Sequence, residues 1–272
     1  MAAFRCTSSG YGHHAQIVRC QACGLVYANP RWSGEELVAA YAAVEDETYS
    51  QEREGRELTF AKHLQGMEKI VGTANGRSLL DVGAYIGVFV EAAVKAGWNA
   101  YGVEPSEWAV QEARKRGLNV LHGTQHTAAL QNCAFDVITM WDVIEHVDDP
   151  AGEIQKSREL LKPGGWLVLH TMDSDSLMAR LMGSRWPWLM DMHLYYFSQQ
   201  TLAAMLEKHG FEVVWSGAQG RYLRLGYVVT RVAALNQTLG RFVDKAVQRF
   251  GMAETAVPLN FGDLFTVYAR RL

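Results

Sequence analysis

Three groups of residues in this chain have types and spacing that could do chemistry. The first is the turn D-V-G-A-Y-I-G, residues 81–87, which closes the short apolar run S-L-L-D-V and opens a helix-like stretch. Glu104 follows Gly87 by 17 residues, at the end of the next apolar run. A glycine turn between a buried strand and a helix lets a ligand approach backbone, and an acid at this spacing can accept hydrogen bonds from ribose hydroxyls. A dinucleotide needs a second glycine where this chain carries Tyr85, so that its pyrophosphate can touch the backbone. S-adenosylmethionine has no phosphate, and its amino-acid end takes hydrogen bonds from backbone and from an acid such as Asp81. Asp81, Gly83, Tyr85, Gly87 and Glu104 are therefore the candidate cofactor residues. A tight turn without a ligand is the alternative. The Tyr85 backbone is expected at the methionine end, with its ring against the ligand or packed under a late cap.

The second group is W-D-V-I-E-H, with Asp142, Glu145 and His146 after the fourth apolar run. His146 is a candidate general base, or a residue that shapes a loop. The third group is the aromatic and methionine-rich loop R-W-P-W-L-M-D-M-H-L-Y-Y-F-S, residues 185–198, whose His193 is the other candidate base. Such a lining suits a pocket with a few placed polar groups, and equally a packed lid. Asp142 and His122, the latter followed by Thr124, stand at strand ends where a cofactor would be reached. Cys133 is isolated and reads as structural.

The amino-terminal C-Q-A-C-G contains Cys20 and Cys23 at the spacing that lets two thiolates share a tetrahedral ion. With Cys6 and His14 the set reaches Cys3His, and a structural zinc is expected. A degenerate knuckle persisting as a packed hairpin is the other outcome. Position 9, where a fourth cysteine would complete the pattern, is serine.

The elements that must position these groups follow from periodicity. Residues 1–30 form a Cys/His head. Residues 31–75 are helical, starting at a capping box of Ser33 and Glu36. From residue 76 short apolar runs alternate with helical patterns, which predicts a doubly wound α/β sheet. Ser106, Asp149-Pro150 and Ser198 are helix starts, and Gly97 and Gly117 are helix stops. K-P-G-G reads as a turn before a fifth strand. Six such runs are closed by a seventh, G-D-L-F-T-V-Y-A-R-R, after a long segment, about 217–262, that shows no strand and reads as a helical insertion. Within it Arg221, Arg224, Arg231, Arg241, Lys245 and Arg249 recur at near-helical spacing, as in a cap, a dimer face or a membrane-surface helix.

The chain has 272 residues and a formal net charge of -3, which gives no general attraction to nucleic acid. No apolar run reaches the ~20 residues of a membrane span. The first ten residues lack a signal-type apolar stretch, so a cytoplasmic protein is expected.

L-L-D-V-G-A-Y-I-G, Y-G-V-E-P-S, F-D-V-I-T-M-W-D-V-I-E-H-V and L-K-P-G-G-W-L, in this order, resemble class I S-adenosylmethionine-dependent methyltransferases over residues 76–272. The branch is similar to the ubiquinone-biosynthesis O-methyltransferases. The resemblance implies a Rossmann-like, seven-stranded, mostly parallel sheet with an antiparallel last strand. It places Asp81 and Gly83 at the methionine end and Glu104 at the ribose. Tyr85 departs from the family's D-x-G-x-G-x-G. Some quinone-type relatives carry an acid-x-x-Glu-His cluster associated with a divalent metal. The head is similar to short zinc-binding heads before some sugar and ribosomal RNA methyltransferases. The expected function is methyl transfer to a small acceptor, an aromatic or sugar-linked metabolite, mainly at oxygen, by a chain that could pair as a homodimer. The alternatives are a ribosomal RNA methyltransferase with a zinc head, against which the net charge argues, and a non-catalytic cofactor-binding scaffold.

Overall fold

A computed structural model of the chain describes residues 14–42, 53–226 and 237–272, with 228, 229 and 233 between them. Cys6 and Arg231, and the first residues of the helix expected from Gln51, lie outside the described residues. The described part starts with a hairpin, β1 (Ile17–Arg19) and β2 (Val26–Ala28), paired antiparallel. Two helices follow, α1 (Gly34–Ala42) and α2 (Arg53–Val71). The capping box is present: Ser33 N–H donates to Glu36 Oε2 at 3.0 Å, and Glu36 N–H donates to Ser33 Oγ at 3.4 Å.

From Ser78 the strands carry apolar side chains on both faces. The elements are β3 (Ser78–Val82), α3 (Val88–Lys95), β4 (Asn99–Glu104), α4 (Glu107–Arg114), β5 (Val120–His122), β6 (Phe135–Trp141), α5 (Pro150–Leu160) and β7 (Leu161–Met172). Then come α6 (Leu177–Met182), β8 (Tyr195–Tyr196), α7 (Gln199–Lys208), β9 (Phe211–Ala218), β10 (Arg221–Arg224), α8 (Gln237–Arg249), β11 (Ala256–Leu259) and β12 (Leu264–Arg271). Alternate residues face opposite sides of a strand. Leu80, Ile138, Leu167, Leu169 and Val267 accordingly join one core with Ile154 and Leu160 of α5 and Leu202 and Leu206 of α7. Leu79, Val137, Val168 and Tyr268 join a second core with Leu64 and Met67 of α2 and Phe89 and Val90 of α3. A sheet covered on both faces needs such uninterrupted apolar strands.

Seven strands form this sheet in the order β5-β4-β3-β6-β7-β12-β9. β3, β4, β5, β6 and β7 pair in parallel, and β12 runs antiparallel to both its neighbours. The expected seven-stranded sheet with an antiparallel last strand is present. The expected helix starts are too: Ser106, Asp149 and Ser198 each accept a hydrogen bond from the first turn of α4, α5 and α7.

Two expectations need correction. K-P-G-G is not a turn before β7 but an irregularity inside it, where the register shifts between Phe135 and Val137 of β6. The late segment is not strandless: R-Y-L-R (β10) and A-V-P-L (β11) pair antiparallel on either side of α8, with Pro258 opposite Tyr222. Both strands are short, and Pro258 masks the second, because proline is tolerated only where the ladder does not need its N–H. The hairpin of the head also joins the rest of the chain. β2 pairs with β8, which lies in the aromatic loop, to make a three-stranded sheet.

Candidate functional site

A cavity of about 290 Å³ opens at the carboxyl ends of β3, β4 and β6. One wall is the turn after β3. Gly83 has φ +71°, and a Cβ built there would lie 2.6 Å from Val143 Cγ2. Only glycine fits both the left-handed backbone and this close approach. Tyr85 takes φ +47° without being glycine. Its N–H donates to Glu104 Oε2 at 2.8 Å, and Ser106 N–H donates to Glu104 Oε1 at 2.9 Å. These two bonds fix the carboxylate beside the turn and leave each oxygen a further lone pair. Burial pushes the Glu104 carboxyl up to about 7, against the opposing backbone bonds. Asp81 stands opposite Thr139 in the β3–β6 register, and the Thr139 hydroxyl donates to its Oδ1 at 2.7 Å. Burial raises its carboxyl to about 8.

The facing wall holds the second and third groups. His146 Nδ1 lies 2.9 Å from the Met192 carbonyl and 2.7 Å from the Tyr41 hydroxyl. His193 Nδ1 lies 2.7 Å from the Trp188 carbonyl. A carbonyl can only accept, so each Nδ1 carries the proton and each Nε2 keeps a lone pair. Both imidazoles are neutral: burial lowers the His146 pKa, and burial, then His146, lowers His193 to about 3. Glu145 is 1% exposed, and neither of its oxygens has a hydrogen-bond partner among the described residues. Burial and then the charge of Asp142 push its carboxyl up to about 8. A Glu145 oxygen and one ring nitrogen each of His146 and His193 lie within 4.8 Å of one another. Two imidazoles with Nδ1–H anchored on carbonyls, beside the buried Glu145 carboxyl, form a set that could hold a divalent cation.

Between the walls sits Asp142, at φ +56°. Arg221 of β10 reaches both its oxygens at 3.1 Å and lies over the Trp188 ring at 5.3 Å. Burial opposes ionisation of Asp142, but Arg221 and then His170 outweigh it and hold the carboxyl near 2. The remaining wall is helical. Gly34, Leu37 and Tyr41 line the cavity from α1 at positions i, i+3 and i+7, and Arg56 and Phe60 line it from α2 at i and i+4.

Residues 53–216 match the family model described as a methyltransferase domain. The chain belongs to that family. Among curated proteins the methyltransferase domain is similar to the ubiquinone biosynthesis O-methyltransferase of Leptothrix cholodnii, 30% identical over 45% of this chain and 57% of the relative. It is also 38% identical to the protein of that name from Methylococcus capsulatus, over 39% of this chain and 48% of the relative. These matches span about half the length of the relatives. Among solved structures, an S-adenosylmethionine-dependent methyltransferase from Thermotoga maritima superposes with a TM-score of 0.55 at 22% identity, covering 83% of this chain and 94% of its own. The [4+2]-cyclase SpnF superposes at 0.52 with 18% identity, over 78% of this chain and 80% of its own. At these identities the structures show the fold alone.

Within the methyltransferase domain, Gly83, Tyr85, Glu104, Asp142, His146 and His193 line one cavity. Asp81, Gly87 and His122 are not in its wall. Asp81 lies behind it in the sheet, Gly87 turns toward Leu118 and Ala113, and His122 hydrogen-bonds the Pro105 carbonyl at 3.0 Å. Among the described residues the Tyr85 ring packs with Ile86, Val88 and Ala109, beside Tyr41 and Trp108, and so lies against α1 and α4. Of the amino-terminal cysteines, Cys20 and Cys23 flank the β1–β2 turn, where Gly24 N–H donates to the Cys20 carbonyl at 2.9 Å. Backbone N–H groups of Cys23 and Ala22 lower the Cys20 thiol pKa. His14 Nδ1 is bonded to the Ala15 carbonyl at 2.8 Å. Sequence reasoning missed Tyr41, Arg56, Phe60 and Arg221 as lining residues. Arg221 carried a signal, a cation in a segment predicted to cover the site. The helix residues carried only amphipathic spacing.

Proposed function

We propose that this chain transfers a methyl group from S-adenosylmethionine to a hydroxyl of a small, aromatic-type acceptor. The observation that carries it is the single cavity joining Glu104 and the Gly83 turn to Glu145, His146 and His193. Bound S-adenosylmethionine would supply an electrophilic methyl group, and the chain would supply placement. The free lone pairs of Glu104 suit ribose hydroxyls. The close turn at Gly83 and the charge of Asp142 suit an amino-acid end. Trp141, Trp188 and Phe60 give an aromatic ring flat surfaces to pack on. The lone pair on His193 Nε2, or on His146 Nε2, accepts the proton as the acceptor oxygen becomes nucleophilic. A divalent ion held by Glu145, His146 and His193 would occupy those same lone pairs and polarise the oxygen in place of the base.

Supporting this reading are the family match, the relatives named as O-methyltransferases and the aromatic lining of the cavity. Its test has two stages. Calorimetry with S-adenosylhomocysteine addresses the cofactor half, and absence of binding sinks the whole reading. Incubation with S-adenosylmethionine and a panel of phenols, catechols and sugar hydroxyls addresses the acceptor half. Binding without a methylated product across that panel leaves the scaffold alternative. The net charge of -3 argues against an RNA substrate, and RNA failing to compete in a filter assay would agree. A zinc ion on Cys20 and Cys23, completed from the residues before them, is proposed for the head. Zinc well below one ion per chain in purified protein overturns that part.

A further inference from the structure

Methyl transfer as proposed leaves the amino-terminal hairpin without a task, yet its backbone leads into the site. β2 pairs through Val26 with Tyr196 and through Tyr27 with Tyr195. One residue further, Ala28 N–H donates to the Leu194 carbonyl at 2.8 Å. On its other side this segment is tied to the turn after β6: Leu194 N–H and Tyr195 N–H both donate to the Glu145 carbonyl, at 2.8 and 3.2 Å. The Tyr195 hydroxyl donates to the Asp148 carbonyl at 2.9 Å. A continuous path of main-chain bonds therefore runs from β2 through residues 194–195 to Glu145. His193 immediately precedes that path, and His146 immediately follows Glu145.

β8 is two residues long. A strand of that length does not hold its own place and takes its position from whatever it pairs with. β2 supplies that pairing, and Arg31, lying over the Tyr195 ring at 5.3 Å, supports it from the same side. Register matters as well as proximity. A slip of one residue would turn the side chains of the segment to its opposite face, and His193 would leave the cavity.

We propose that the hairpin Ile17–Ala28 is a positioning arm of the acceptor half of the site, and that its pairing with β8 sets where His193 stands relative to Glu145 and His146. This rests on reading those three residues as the acceptor half. The hairpin touches none of the reacting atoms and acts through β8. Cys20 and Cys23 lie at its outer turn, so whatever orders that turn is felt at His193.

The experiment uses the full chain and needs no acceptor. Ala28→Pro removes the N–H that bonds Leu194. Three measurements are compared with the parent: hydrogen exchange at the Leu194 and Tyr195 amides, the ¹⁵N shifts of the His146 and His193 imidazoles, and the affinity for S-adenosylhomocysteine. The arm predicts about tenfold or faster exchange at the two amides. It also predicts imidazole shifts moving toward averaged tautomers, with cofactor-product affinity changed less than about twofold. A hairpin that only packs would leave the imidazole shifts unmoved. Parent-like amides at Leu194 and Tyr195 and parent-like imidazoles, with the amides of Val26 and Tyr27 exchanging freely, overturn the proposal. If Ala28→Pro abolishes cofactor-product binding through misfolding, the milder Tyr27→Ser is read instead. It should speed the same two amides to a smaller degree, and no change there overturns the proposal. None of these readouts depends on methyl transfer, so an inactive enzyme with responsive amides would refute the proposed function and leave the arm standing.

Discussion

Gly83 offers a quantitative test, because two other glycines separate the costs that it combines. At Gly76 φ is +74° and a Cβ would meet nothing within 4 Å. At Gly102 the backbone is ordinary, but a Cβ would lie 2.7 Å from Ala84 Cβ and 3.1 Å from Val120 Cγ2. Gly83 has both problems, with φ +71° and 2.6 Å to Val143 Cγ2. A left-handed alanine costs about 1–2 kcal/mol. Forcing a methyl group into a packed site costs a further ~1–3 kcal/mol. Gly76→Ala should therefore lose about 1–2 kcal/mol and Gly102→Ala about 1–3 kcal/mol, with Gly83→Ala losing roughly their sum. In a chain of this size each kcal/mol is roughly 2–4 °C in Tm. The assay is thermal unfolding of the three variants, followed by calorimetry with S-adenosylhomocysteine. Of the two positions with positive φ, only Gly83 lines the cavity, so its alanine should weaken cofactor-product binding about tenfold or more while Gly76→Ala leaves it unchanged. The reasoning is refuted if Gly83→Ala is no less stable than Gly76→Ala and binds the cofactor product as the parent does.

Glu104→Gln should weaken S-adenosylhomocysteine binding by about 10- to 100-fold in calorimetry, since it removes a charged acceptor from a dry site; an unchanged Kd would detach Glu104 from the ribose. Asp81 makes stability depend on pH. Burial raises its folded pKa to about 8, so the folded state holds a proton that the unfolded chain loses near pH 4. That stabilisation is fully present below about pH 4, declines as pH rises from there, and is gone above about 8. Asp81→Asn should flatten the fall in urea midpoint between pH 5 and 8, and a slope equal to the parent's would contradict the burial argument. Arg221→Met and Asp142→Asn should be coupled by about 1 kcal/mol in a double-mutant cycle, a modest value because the Asp142 side chain is 38% exposed to the cavity; additive losses would show that the ion pair contributes nothing.

The sheet was legible because each of its strands is an apolar run stopped by a residue with a local role. S-L-L-D-V ends at a glycine that must be left-handed, and F-D-V-I-T-M-W ends at Asp142. The caps at Ser106, Asp149 and Ser198 were legible for the same reason, since a cap is decided within four residues. The walls of the cavity were not legible. Gly34, Leu37 and Tyr41 read as the apolar stripe of any surface helix, and only the tertiary fold decides that this stripe meets His146 and the Tyr85 turn. Arg221 is visible as a basic residue, but its near-helical spacing points to a helix, because a four-residue strand in a basic segment has no periodicity to announce it. β8 is shorter still. Its two tyrosines read as aromatic lining, and their partner lies some 170 residues earlier in the chain.

The placing of β12 has a consequence for how the protein is made. It is made after the other six strands of this sheet, and it belongs between β7 and β9 rather than at an edge. Until residues 264–271 emerge, the nascent chain can assemble the cofactor half, β3 to β7, while β9 has no neighbour to pair with. The open edge of β7 and the whole of β9 then depend on prompt insertion of one segment, or on a chaperone that shields them. Loss of residues 264–271 would therefore do more harm than loss of an edge strand. It would leave a slot in the middle of the sheet and two strand edges ready to pair with another unfinished chain.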